Sequence, residues 1–278
     1  MTKIRIAHSP DSDDAFMFYA LAQHKIPEEG LEFEHVLKDI QTLNEEAFKG
    51  TYEISAISIN AYAYLYDKYA LLDSGASMGE GYGPMVVTQK EFPLSELKNK
   101  KIAVPGKLTS AFLALQMVEP NLNYDIVPFD QILDYVAAGK ADAGLIIHEG
   151  QLQYKDMGFK LILDLGVWWA EQTGGLPLPL GGNAVRKDLG SEMMHKLARI
   201  QKASIAYGLE HRTDALAHAM TYARGLSTQV ADKFVGMYVN QRTLDYGEAG
   251  KKAVQLFLNR AFEMKLIPNK VDVEFINS

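Results

Sequence analysis

No cysteine occurs among the 278 residues. Disulfide staples, thiolate metal sites and thiol nucleophiles are thereby excluded. No apolar run approaches the ~18 residues that a bilayer-spanning helix needs, so no membrane segment is expected. Positive charge is sparse as well. The 28 Lys and Arg stand against 35 Asp and Glu, a net charge of −7, and neither sign is gathered into a block. Without a basic patch interleaved with aromatics, nucleic acid is not an expected partner. Internal repeats and low-complexity tracts are missing too, which excludes solenoids and arrays. The start of the chain has no charged segment leading into an apolar stretch and a small-residue cleavage site. Met1-Thr2-Lys3 runs directly into the strand-like Ile4-Arg5-Ile6-Ala7-His8, and a cytoplasmic protein is the expectation.

What is present is an ordinary globular composition, 47% hydrophobic and 23% charged, in a chain long enough for two lobes. Strand and helix patterns alternate. Ile4, Ile6 and His8 share one strand face, the turn Ser9-Pro10-Asp11-Ser12-Asp13 offers N-cap side chains, and a helix is predicted over 15–23. Further strands are predicted over 31–37 and 53–58 and helices over 41–49 and 61–69. After a glycine-rich stretch from Gly75 to Gly83, an apolar strand follows at 84–88 and the alternation restarts. Strands fall at 101–104 and 159–165, helices at 109–118 and 129–138, and a wholly apolar strand at 143–147 reads as buried on both faces. From Asp188 onward the pattern is helical only, with Val254, Phe257, Leu258 and Ala261 on one stripe. Such βαβ alternation predicts an α/β protein of two lobes, each a mainly parallel sheet flanked by helices, with a ligand cleft between them. Lobe one would comprise 1–88 plus the C-terminal 179–278, and lobe two the inserted 89–178. The crossings, near 85–88 and 176–186, would form the hinge.

Several motifs are decoys. Gly75-Ala76-Ser77-Met78-Gly79 matches the serine-hydrolase elbow, but glycines and Pro84 follow where a helix would have to start. Gly79, Gly81 and Gly83 lack the spacing and the helix of a dinucleotide fingerprint, and Gly106-Lys107 lacks the upstream glycine of a phosphate loop. His148-Glu149 has no second histidine four residues on. Neither a metal nor a cofactor is expected. Four positions remain, and all lie beyond strand ends, where open α/β sheets bind ligands. They are Ser9 to Asp14, the segment Ala56-Ile57-Ser58, the helix-opening Thr109-Ser110, and His148. Thr109-Ser110 is either a carboxylate or phosphate site at a helix start or a plain cap. His148 is either a base near neutral pH or a satisfied structural histidine. Glu149 would orient its ring or face solvent, and His8 is a weaker candidate. Trp168-Trp169 and the apolar Leu176–Gly182 stretch read as inter-lobe packing, or as an aromatic cleft wall.

Some stretches also resemble a known family. They include Val104-Pro105-Gly106-Lys107-Leu108-Thr109-Ser110-Ala111, Ala143-Gly144-Leu145-Ile146-Ile147-His148-Glu149, Leu165-Gly166-Val167-Trp168-Trp169 and Gly174-Gly175-Leu176-Pro177-Leu178-Pro179-Leu180-Gly181. With Ser9-Pro10, Asp14, Ser58 and Tyr238-Val239-Asn240, they resemble the 1,4-dihydroxy-6-naphthoate synthases along nearly the whole chain. The resemblance implies a periplasmic-binding-protein-like (type II) fold and a cofactor-independent carbon–carbon lyase of menaquinone biosynthesis. Such a lyase converts cyclic de-hypoxanthine futalosine, a small carboxylic acid, to 1,4-dihydroxy-6-naphthoate. His148 falls where the family has its general base, and Ala56, Ile57, Ser58, Thr109 and Ser110 fall at the substrate; Ser9 and Asp14 are expected there from their place beyond the first strand. Two departures stand out: Asp11-Ser12-Asp13-Asp14 where the family often reads C-P-N-D, and Ala56 where it often has a basic residue. The sister enzyme chorismate dehydratase and a transporter's solute-binding protein are the alternatives on the same fold.

Overall fold

The computed structural model describes residues 2–222 and 227–278. Five strands open the chain: β1 (Thr2–His8), β2 (Leu31–Leu37), β3 (Ile54–Ser58), β4 (Tyr69–Leu72) and β5 (Ser77–Gly79). Five more follow: β6 (Met85–Thr88), β7 (Lys101–Val104), β8 (Asn123–Ile126), β9 (Ala143–Ile146) and β10 (Lys160–Asp164). The chain closes with β11 (Leu178–Arg186) and the short β12 (Phe275–Ile276). They form two separate sheets. The first has the order β12-β4-β11-β3-β1-β2, with β5 also on β11, and the second the order β10-β6-β9-β7-β8.

Parallel pairing joins β2, β1 and β3 in the first sheet and β8, β7 and β9 in the second. The strands nearest the crossings, β11 and β6, run antiparallel to their neighbours. Ala143–Ile146 is buried throughout, as its unbroken apolar run predicts for a strand covered on both faces. The stripe of Val254, Phe257, Leu258 and Ala261 is likewise buried, on the long helix Gly247–Glu263 that packs on the first lobe. One core cluster runs continuously from Ile57 and Leu71 of the first sheet to Val104 and Leu145 of the second.

The lobe boundary differs from expectation. Met85–Thr88 is no hinge: β6 is an interior strand of the second sheet, bonded to β9 on one side and β10 on the other. The chain leaves the first sheet at Gly79, so the crossing occupies 80–84 rather than 85–88. On the return, 178–186 is a full interior strand, and the crossing lies just ahead of it. Local pattern shows an apolar strand but not the sheet it joins, because its partners are distant in sequence.

Between β10 and β11 the chain also forms a helix absent from the sequence reading, Leu165–Thr173. Asp164 caps it by accepting from the Gly166 and Val167 N–H groups at 2.8 and 3.2 Å, and Gly174 ends it with φ at 68°. The two crossings touch here. A Cβ on Gly166 would lie 1.9 Å from the Tyr82 carbonyl oxygen, and one on Gly79 would lie 2.0 Å from the same atom, so only glycine fits on either side. Trp169 is fully buried on this helix. It donates to the Pro177 carbonyl at 2.9 Å and meets Phe257 edge-on at 5.4 Å. Packing, not a cleft wall, is its role.

Candidate active site

The cleft opens where the C-terminal ends of β1, β3 and β9 meet the start of the helix Ser110–Val118. It encloses about 750 Å³, its open mouth included. All eight residues singled out by sequence line it: Ser9 and Asp14 after β1, Ala56, Ile57 and Ser58 ending β3, Thr109 and Ser110, and His148. Residues far apart in sequence are thus brought to one space by the topology alone.

Hydrogen bonding shows what holds each in place. Thr109 Oγ1 accepts from the Phe112 N–H at 3.2 Å and donates to the Gly106 carbonyl at 2.9 Å, so this hydroxyl is the helix cap. Ser110 Oγ accepts from the Asn60 N–H at 3.1 Å and donates to the Leu180 carbonyl at 2.5 Å. It ties the helix start in one lobe to β11 and to the helix Ile59–Leu65 in the other. Ser58 is locked by a reciprocal pair with Asn44: its N–H donates to Asn44 Oδ1 at 2.9 Å, and Asn44 Nδ2 donates to its hydroxyl at 3.0 Å.

The other wall is acidic. The Ser9 N–H donates to Asp14 Oδ2 at 2.6 Å, and the Ser9 hydroxyl donates to Asp11 Oδ2. Burial pushes the Asp14 carboxyl up to about 7, and nearby Asp11 adds to the shift while the Ser9 N–H opposes it. Asp13 is pushed well above the usual carboxylate range by burial first, then by Asp14, Asp11 and Glu149. Among the described residues, no Lys or Arg lines the cleft.

His148 stands two residues past β9 with its side chain 16% exposed. Its Nδ1 lies 3.4 Å from Asp11 Oδ2, across the boundary between lobes, and the Phe129 ring covers it at a centroid distance of 4.1 Å. Nε2 is buried and has no hydrogen-bond partner among the described residues. Glu149 does not face solvent: it is buried and accepts from Ser12 Oγ at 3.4 Å, again between lobes. Asp11, His148 and Glu149 each bring a possible ligand atom within 4.8 Å of the others. Ser9 donates to Asp11 and Ser12 to Glu149, while His148 meets Asp11 as a 3.4 Å ion-pair contact. His8 is set apart from the cleft. It is buried beside Phe18 at 4.5 Å and bonded to His35 at 3.1 Å, and burial lowers its pKa to about 3. A ring held neutral in this way is structural.

Sequence reasoning missed Asn183 and Tyr238 in the lining of the cleft, and Asn60 behind it, whose N–H donates to the Ser110 hydroxyl. The Tyr238 hydroxyl donates to Gln151 Oε1 at 2.8 Å, bridging the lobes from the C-terminal helices. Only the likeness around Tyr238-Val239-Asn240 could have pointed there, since nothing in a helical stripe marks which residue reaches a distant cleft.

Two mixed sheets closing on a shared cleft define the periplasmic-binding-protein-like class. The alkanesulfonate-binding protein of Xanthomonas axonopodis pv. citri, solved bound to MOPS, superposes with a TM-score of 0.72 over 100% of this chain and 99% of its own at 14% identity, which shows the fold alone. Within that class the chain belongs to the menaquinone-biosynthesis family of the 1,4-dihydroxy-6-naphthoate synthases: the family model described as menaquinone biosynthesis matches residues 4–263. The synthase of that name from Thermus thermophilus is 40% identical over 91% of this chain and 92% of its own. The one from Streptomyces coelicolor is 32% identical over 95% of each. A crystal structure of an Archaeoglobus fulgidus protein covers 95% of this chain and 98% of its own, with a TM-score of 0.91 and 47% identity. Among the described residues, no helix is long and apolar enough to cross a membrane.

Proposed function

We propose that this chain is a 1,4-dihydroxy-6-naphthoate synthase, a lyase that fragments cyclic de-hypoxanthine futalosine without a cofactor, with His148 as general base. The observation that carries the assignment of the base is the environment of that one side chain. His148 lines the cleft, its Nδ1 is engaged by Asp11, and its Nε2 has no partner among the described residues. A neutral imidazole with one nitrogen held and the other unpaired suits proton abstraction near neutral pH. The identity to two proteins of that name supports the naphthoate as product.

The other contacts follow from the walls. Ala56, Ile57 and Ser58 hold one side of the substrate and the helix start at Thr109-Ser110 the other. With both hydroxyls engaged in protein bonds, the main-chain N–H groups of that helix start meet the carboxylate. Ser9 and Asp14 close the floor. Nε2 is shielded from solvent in this arrangement, so the lobes separate to admit substrate and close to exclude water.

The test is direct. Purified protein is incubated with cyclic de-hypoxanthine futalosine and the naphthoate is followed by mass spectrometry, beside His148→Asn. Wild type should turn over, and the variant should bind but lose on the order of 10²–10⁴-fold in rate. Wild type that binds without turnover is a solute-binding protein, and one that dehydrates chorismate instead belongs with the sister enzyme. Near-normal rates in the variant remove His148 as the base.

A further inference from the structure

A neutral imidazole carries its proton on one nitrogen only, and the partner of one nitrogen decides whether the other is a donor or a lone pair. A base acting through Nε2 therefore needs an acceptor at Nδ1. Asp11 provides it. Its Oδ2 lies 3.4 Å from His148 Nδ1, and its side chain is 1% exposed. The carboxylate is itself held, because Ser9 Oγ donates to the same oxygen. This chain carries aspartate here, in the turn after β1.

We propose that Asp11 is the positioning residue of the site, fixing His148 in the tautomer with the proton on Nδ1. The inference rests on the reading of His148 as base and adds the group that arms it. When substrate gives up its proton to Nε2, the ring becomes an imidazolium bearing protons on both nitrogens, and the adjacent carboxylate balances the charge. No covalent bond to the protein forms. Asp11 follows β1 and His148 follows β9, so the pair joins opposite lobes and exists only when they are closed. Ser12 and Glu149, at 3.4 Å, span the same seam one residue along on each side. Parting the lobes would release Nδ1 and let the ring change tautomer, so the base is set when the cleft shuts. The 3.4 Å separation is loose for a hydrogen bond, as such contacts are before substrate tightens them.

Nitrogen-15 NMR of histidine-labelled protein reads the tautomer without any turnover. The expected result in wild type is a proton on Nδ1 and a lone pair on Nε2 of His148. In Asp11→Asn the amide can donate to Nδ1, so the signals should invert or average. The turnover number should fall on the order of 10²–10⁴-fold, the range for a lost base, with KM little changed. A wild-type ring protonated on Nε2 overturns the inference, as does Asp11→Asn with a wild-type turnover number. If Asp11→Asn does not fold, the wild-type tautomer decides alone. The two readings separate cleanly. An active His148→Asn removes the base itself, whereas an inactive His148→Asn beside an active Asp11→Asn removes only the role of Asp11.

Discussion

Asp14 shows how far the cleft bends ordinary side-chain chemistry. Its carboxyl titrates at about 7 instead of 3.8 because the site strips it of water. The folded state therefore keeps a proton, across that window, that the unfolded chain has released. Stability falls as pH rises from the unfolded to the folded value, and the full cost remains above it. Asp14→Asn removes this penalty while its side-chain oxygen can still accept from the Ser9 N–H. Its gain in melting temperature over the parent should be larger at about pH 8 than at about pH 4. Equal shifts at both would show that Asp14 is charged throughout. At this scale the sequence was most legible where a residue's place beyond a strand end announced it, as for His148 and Ser58. It was least legible where the deciding fact is a contact across lobes. The burial of Glu149 and the Asp11–His148 pair join residues 137 positions apart, and no local pattern carries that.

Elements tell a similar story with a different cause. The strand over 143–146 was readable because burial on both faces leaves an unbroken apolar run. The helix Leu165–Thr173 was not, since it follows β10 without a loop and its second residue is a glycine. Its start signal was present in Asp164, an N-cap aspartate, but was masked by the strand before it. Gly166 is there for space: the Tyr82 carbonyl passes so close that a Cβ would sit at 1.9 Å. Gly166→Ala should therefore destabilise the fold by about 1–3 kcal/mol or more, an overpacking cost, read as a lower urea midpoint with unchanged slope. A neutral outcome would mean that the crossing at 80–84 shifts freely. Such slack would loosen the two crossings where they pack together.

For the whole molecule, alternation of strand and helix sufficed to predict two α/β lobes and a cleft between them. It did not place the crossings, because β6 and β11 are strands wherever they pair, and long-range pairing decides to which sheet each belongs. The seam between the lobes is fastened by polar contacts from three directions: Ser110 to Leu180, Tyr238 to Gln151, and Ser12 to Glu149. These polar contacts can exchange with water at little net cost, whereas the apolar core that the two lobes share resists their parting.

That no lysine or arginine among the described residues lines the cleft has a consequence for how the proposed carboxylic-acid substrate would be received there. Asp11, Asp13 and Asp14 already line the cavity, and two of them hold their protons unusually tightly. An incoming carboxylate raises their proton affinity further, so the counter-charge that accompanies the ligand is hydrogen ion drawn from solvent. Binding should then release or absorb heat in proportion to the ionisation enthalpy of the buffer, and titration calorimetry in phosphate and in Tris should give different apparent enthalpies. Affinity should weaken by up to roughly tenfold per pH unit above neutrality, yet respond only weakly to salt, since among the described residues no lysine or arginine lines the site to be screened. Identical enthalpies in the two buffers would show that ligand enters without a proton. A receptor built this way selects its acid by acidity of the medium, where one lined with arginine selects by ionic strength.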